Sequence, residues 1–362
     1  MAVEEKRAAL TAVINRWQSK WQIWTGSLMA SPTKSNGDVR MVRGDSVVPT
    51  PILNRGDQLL GDVYGNMMNS PDDRRAIHDS LDQLFNWLRD RQREWGADRW
   101  REMVQRCREH PLRGLLHEDP FTCRAFNKPR GYAGDAVLLD YVYSCEELWP
   151  TPDSTRIGRH IFDYTTSAPA SEGVRARRGF IADFIDDLAN QKRRPEVLSI
   201  AAGHLRETEI SSALKRQKFG RFVALDSDEY SLREIRTCYG HLGVETVQSR
   251  FRELISNRLT IGTFDCVYTT GLFDYLSRAT GQHLVRTMFE LLNPGGVLIV
   301  ANFMHGIRDV GYMEAFMDWD LVYRSRAEMV ELTTEIPERQ IQDVRVFAED
   351  WQNIIFMELT KK

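Results

Sequence analysis

Two stretches combine residue types and spacings able to hold a charged, ribose-bearing ligand. The first, Val197 to Glu207, reads VLSIAAGHLRE: an apolar strand, a tight turn at Gly203 and a helix opening near Arg206. Glycine in that turn lets the backbone approach a ligand, at the place where doubly wound sheets hold one. The second lies 23 residues after Gly203, where RFVALD ends in Asp226. A carboxylate there can accept from both hydroxyls of a ribose. NAD-binding and flavodoxin-like sheets use comparable features, so turn and acid alone leave the ligand open.

Two further segments are dense in aromatic and charged residues. EDPFTCRAFNKPRGYAGDAVLLDYVY (118–143) offers Lys128, Arg130, Tyr132, Asp135, Tyr141 and Tyr143, and TTGLFDYL (269–276) offers Thr270, Gly271, Asp274 and Tyr275. Lys128 and Arg130 could clamp a carboxylate, Arg being favoured for its bidentate fork, or simply face solvent. Tyrosine faces attract cations, but large aromatics are mostly buried for packing. Asp135, one residue past Gly134, could act as an acceptor or cap a helix. His204 could be a base or contact, although a structural hydrogen bond is the commoner role. Glu207 suits the positive end of a helix, and neither it nor Arg206 reads as catalytic.

The elements that must position these residues fall into two regions. From Pro195 onward strands alternate with helices, among them ETEISSALKR, SLREIRTCYGHL and GQHLVRTMFELL, which predicts a parallel sheet covered on both faces. DVRVFAED and NIIFMELTK are too close together for a helical crossover and predict an antiparallel hairpin at the sheet's edge. The first half reads as mainly helical, with periodic apolar positions at Ile77, Leu81, Leu84, Phe85 and Leu88 and again over Ala97 to Cys107. Leu10, Val13, Ile14, Trp17, Trp21, Trp24 and Leu28 form an apolar stripe expected to pack on its own protein. Residues 31–57, rich in Pro, Gly and Asn, predict a long loop or lid. A boundary near residues 150–172 divides the chain into 1–171, a helical lid or substrate domain, and 172–362, a sheet domain.

At 362 residues, 42% hydrophobic and 27% charged, the chain can bury a sizeable core. A formal net charge of −3 gives no polybasic footprint, so neither nucleic acid nor an anionic membrane is the expected partner. A small molecule is, and the oligomeric state is left open. The acidic N-terminus does not read as a signal peptide, and no apolar run reaches membrane-spanning length. The five cysteines are scattered and include no CxxC pair, which fits a reducing cytoplasm and no structural metal.

LLNPGGVLIVANF and FDCVYTTGLFDYL resemble the fifth-strand and fourth-strand motifs of class I S-adenosylmethionine (SAM) dependent methyltransferases, as does the edge hairpin. That resemblance covers roughly residues 172–362. It implies a Rossmann-like α/β fold, mostly parallel with an antiparallel edge hairpin, a mainly helical N-terminal lid, and SAM as cofactor without a metal. The cofactor set it implies comprises Arg130, Ser199, Ala201, Gly203, Asp226, Ser227, Arg250, Phe251, Thr270 and Gly271. The catalytic candidates are Tyr132, Asp135, Tyr141, His204 and Tyr275. Where the family's first motif carries an acid and three glycines, this chain has Ser199 and then Ala201, Gly203 and Leu205, so the methionine amine needs another partner. The loop NKPRGYAGD, with a carboxylate, two cations and a tyrosine, is the expected source.

A finer resemblance, carried by 118–143, VLSIAAGHLRE, TTGLFDYL and MEAFMDWDLVYRS, is to the bacterial methyltransferases that make 3-hydroxypalmitic acid methyl ester, an extracellular signal. It implies methylation of a carboxylic acid. The related azetidine-2-carboxylate synthases, which cyclise SAM and release methylthioadenosine, imply a second reading. A SAM-binding module without catalysis is a third, suggested by the eroded glycine motif.

Overall fold

The computed structural model describes residues 50–143, 154–256 and 258–362. The stripe from Leu10 to Leu28 lies outside them. The described residues belong to one compact unit, 49–362.

The sheet has seven strands: β1 (Glu196–Ile200), β2 (Arg221–Asp226), β3 (Val244–Gln248), β4 (Phe264–Thr269), β5 (Leu292–Phe303), β6 (Ile341–Ala348) and β7 (Ile354–Lys361). Their order is β3-β2-β1-β4-β5-β7-β6. β1 to β5 pair in parallel, and β7 runs antiparallel between β5 and β6. The α/β sheet with an antiparallel edge hairpin is as the sequence predicts. Parallel strands covered on both faces need apolar residues at consecutive positions, and all six residues of β4 are buried. On one face Leu198, Val223, Val267 and Leu298 meet Leu284, Val285 and Met288 of the helix Arg278–Glu290. Each such side chain contributes about 1.5–3 kcal/mol when fully buried. On the other face the helix Pro169–Gln191 sets Phe180 against Phe347 and Phe356, with ring centroids 5.3 and 4.5 Å away.

The helical region docks on the segment that follows β5. The helix Arg74–Glu94 starts where the Asp73 carboxylate accepts from the Arg75 and Ala76 N–H groups, and it buries the predicted face of Ile77, Leu81, Leu84, Phe85 and Leu88. Phe85 stacks on Tyr312 of the helix Val310–Phe316 at 4.2 Å.

Two predicted elements differ. The turn-rich stretch 31–57 is helical from Thr50 onward, within Thr50–Asn69, because proline is tolerated in a first helical turn that has no use for its N–H. The helix expected over ETEISSALKR is a short 3-10 turn, Arg206–Glu209, followed by one α-turn, Ser212–Lys215. Asp186 draws the Ser212 and Ala213 N–H groups to its carboxylate, and Ser211 Oγ accepts from Leu214 N, so a new turn starts there.

Candidate functional site

β1 and β4 lie side by side, and the chain leaves them towards opposite ends of the sheet, so a crevice opens beyond their C-terminal ends. The pattern of exposure marks it. β4 is wholly buried and β1 nearly so, yet Ala201 to Gly203 and Thr270 to Leu272 are half-exposed. Gly203 sits at φ +56, a left-handed turn that glycine adopts without strain. Asp226 lies beside it: Oδ2 accepts from Gly203 N at 2.8 Å and Oδ1 from Asp228 N at 2.9 Å. Each oxygen keeps a lone pair for a ribose hydroxyl. Burial is the main effect that pushes the Asp226 carboxyl up. Ser227 is exposed at the same strand end, and Ser249 N donates to the Asp226 carbonyl. That bond brings the end of β3, with Arg250 and Phe251 opening the next helix, alongside.

The loop Lys128–Asp135, between the helices Pro120–Asn127 and Ala136–Tyr143, roofs this crevice. It is latched at both ends. Lys128 pairs with Asp318, and Arg130 donates to Asp228 at 2.8 Å and to Ser231 Oγ at 3.1 Å. Asp135 is fully buried, takes a two-pronged bond from Arg124 at 2.8 and 2.7 Å, and accepts from Leu138 N at the start of the next helix. The loop's charges are therefore committed to the body. The loop expected to partner a ligand's amine thus has each of these charges already paired within the protein, as burial of charge favours.

The aromatic candidates divide. Tyr132, 38% exposed, meets Tyr275, 40% exposed, edge to face at 6.4 Å. Burial, then the nearby Asp226 charge, push the Tyr132 hydroxyl up, so it stays protonated. Trp319 Nε1 donates to Tyr275 Oη at 2.8 Å. A Cβ at Gly134 would lie 2.6 Å from both Trp319 and Tyr275, so only glycine lets the roof pass over this pair. Tyr141 instead turns its ring onto Phe162 at 5.8 Å. His204 is buried, with Nδ1 2.7 Å from Asp140 in the helix after the loop and Nε2 3.4 Å from Arg130 in the loop itself. Arg206 grips the same Asp140 at 2.7 Å with two nitrogens. Burial would raise the Asp140 carboxyl, but bonds from Arg206 and His204 outweigh it and hold it below the usual range.

Sequence reasoning missed Trp319 and Arg177 and set Glu207 aside. Arg177, in the helix before β1, is 3% exposed, donates Nη1 to the Thr270 carbonyl, and has a buried Nε without a partner. Nothing local in GVRARRGF singles it out. Beyond Trp319 runs a narrow apolar cavity whose walls include Phe121, Val174, Phe303, Met313 and Trp319, with Asp309 at its edge.

The crevice fits SAM on this chain's own features: a left-handed glycine turn, an acceptor carboxylate beside it and a buried guanidinium nitrogen in need of a partner. Among the described residues, no group of three or more His, Cys, Asp or Glu could hold a metal, and no helix is long and apolar enough to cross a membrane.

Residues 200–300 match the family described as a methyltransferase domain. No curated protein matches the chain. Among solved structures, a possible exported protein from Bordetella parapertussis shares 15% identity over 81% of this chain and 98% of its own, with a TM-score of 0.50, a likeness of fold. The N-methyltransferase NodS from Bradyrhizobium japonicum WM9, in complex with S-adenosylhomocysteine, shares 14% over 61% of this chain and 98% of its own, with a TM-score of 0.39. Magnesium protoporphyrin IX methyltransferase from Synechocystis PCC 6803, with bound S-adenosylhomocysteine, shares 9% over 62% and 98%, with a TM-score of 0.41. Residues 200–300 thus match a methyltransferase-domain model, and they lie within a Rossmann-like sheet.

Proposed function

We propose that this protein methylates the carboxylate of a small or lipid-like acid, with the acceptor's apolar part in the cavity beyond Trp319. The observation that carries the reading is a chain of contacts from the crevice to the apolar cavity: Tyr132 meets Tyr275, Tyr275 is bonded to Trp319, and Trp319 lines the cavity. SAM, when bound, supplies an electrophilic methyl group on a sulfonium. The chain's residues then have to bind, align and exclude water, which supplies most of the rate for an in-line displacement. Asp226 would accept from the ribose, the faces of Tyr132 and Tyr275 would attract the sulfonium, and the latched roof would keep the space dry. A carboxylate nucleophile is already an anion and needs no base. That suits a site whose imidazole, His204, has both nitrogens in use, and whose roof lysine, Lys128, is paired.

Cyclisation of SAM would draw on the same aromatics, with Asp274 as the nearby carboxyl. Burial, its main influence, pushes that group up to about 6. Incubating the protein with SAM alone, and then with 3-hydroxypalmitic acid and shorter acids, separates the readings. S-adenosylhomocysteine formed only with an acid supports methylation. Methylthioadenosine formed from SAM alone supports cyclisation, and binding without either product would leave a non-catalytic module.

A further inference from the structure

The crevice holds a pair of opposite charges that the roof and the ribose acceptor do not use. Glu207 stands in the 3-10 turn after β1, half-buried, and burial is the main effect that pushes its carboxyl up. Tyr268 Oη, from the middle of the sheet, donates to Glu207 Oε1 at 2.5 Å and also bonds Ser199. This leaves the carboxylate acceptor sites for a ligand. The Arg177 and Arg178 charges act on Glu207, favouring its ionised form. Arg178 is engaged elsewhere, 3.5 Å from Glu209 and stacked on the Tyr143 ring at 4.8 Å. Arg177 is not fully used: its Nη1 reaches the Thr270 carbonyl, the Tyr143 hydroxyl lies against it, and its buried Nε has no partner. A carboxylate and a guanidinium side by side, each with bonding capacity left, match the ammonium and carboxylate of an amino acid. The two flank the same strand ends that form the crevice, since Ser199 and Tyr268 are register partners on β1 and β4.

We propose that Glu207 and Arg177 form the subsite for the amino-acid end of SAM, Glu207 accepting from the ammonium and Arg177 donating to the carboxylate. This rests on the reading of SAM as the cosubstrate. It gives the amine a partner in the sheet region, reached from Ser199 through the Tyr268 hydroxyl. The serine, tyrosine and glutamate act as a relay of position: the strand fixes Ser199 and Tyr268, and Tyr268 fixes the carboxylate. Charge-assisted bonds of this kind are among the stronger ones a binding site can offer.

Titration calorimetry with two probes tests it on the full chain. S-adenosylhomocysteine has the adenosine and the amino-acid end, whereas 5′-methylthioadenosine has the adenosine alone. Glu207→Gln keeps the shape and the bond from Tyr268 but removes the charge. It is expected to weaken S-adenosylhomocysteine by about tenfold or more, and methylthioadenosine by no more than about twofold. Arg177→Lys should show the same split. Ser199→Asp added to Glu207→Gln restores a carboxylate at the strand end and should recover part of the loss. Equal affinity of wild type and Glu207→Gln for S-adenosylhomocysteine overturns the subsite while leaving the SAM reading intact. So does an equal loss on both probes. A wild type that binds neither probe overturns both.

Discussion

The sheet region and the helical roof contribute to one site in different ways. In the sheet region the chemistry comes from residues close in sequence to a strand end: Gly203 and Glu207 after β1, Asp226 at the end of β2, Thr270 and Tyr275 after β4. Side chains of strand residues hold two of them: Asp226 accepts from Gly203, and Tyr268 donates to Glu207. The roof has no such frame. Lys128–Asp135 is placed by ion pairs to distant positions, Lys128 to Asp318 and Arg130 to Asp228, and by the buried Arg124–Asp135 pair. The sheet thus offers a ligand site by topology, and the roof closes it by electrostatics. Perturbing a roof pair should therefore disturb closure more than cofactor contact.

The largest effect is expected from Asp135→Ala. It removes a helix cap and leaves Arg124, 21% exposed, without its two-pronged partner. Breaking such a pair costs about 3–5 kcal/mol when fully buried, and somewhat less with this exposure. Thermal melts should fall, and limited proteolysis should cut first within the roof loop. An unchanged melt would mean that the roof is not held as described.

Asp309→Asn probes a carboxyl lining the cavity and should act in the opposite direction. Burial, outweighing the Ala170 N–H that donates to this carboxyl, raises it from its ordinary 3.8 to about 6. A raised carboxyl pKa favours the fold while the group is protonated. That stability is lost as pH rises through about 6. The asparagine variant should therefore be the more stable one at pH 7 to 8, by up to about 3 kcal/mol, and the gain should vanish towards pH 4. Equal melting at every pH would remove Asp309 as a buried charge.

Smaller still is the effect at Tyr132, which separates ring face from hydroxyl. If the face steadies the sulfonium, Tyr132→Phe keeps most turnover, and Tyr132→Ala loses a contribution of about 0.5–2 kcal/mol, read as kcat/KM. Equal losses in both would assign the role to the hydroxyl. Wild-type turnover in both would make the tyrosine packing.

How far the sequence predicts these features follows the same division. The strands, the Gly203 turn, the Asp226 acceptor and the β6–β7 hairpin are local: each shows in a short periodic run or a turn residue. That β7 enters the sheet between β5 and β6 is not local, since it depends on which strand docks first on β5. The roof's composition shows in NKPRGYAGD, but its latches join residues 98 and 190 positions apart, beyond any periodic signal. Glu207 was hidden by its setting. ETEISSALKR has the pattern of a helix, where a glutamate merely suits the positive end, and Ser211 and Asp186 break that helix so that the carboxylate turns to Tyr268.

Titration of S-adenosylhomocysteine into wild type and Asp226→Ala most directly tests whether the crevice beyond β1 and β4 is the cofactor site. Asp226 accepts from Gly203 and Asp228 N–H groups and faces the crevice with its remaining lone pairs. The account predicts binding at one site in wild type, and a loss of about 1.5–3 kcal/mol, roughly tenfold to a hundredfold in Kd, in the variant. Wild type that does not bind, or a folded variant with unchanged affinity, would contradict it.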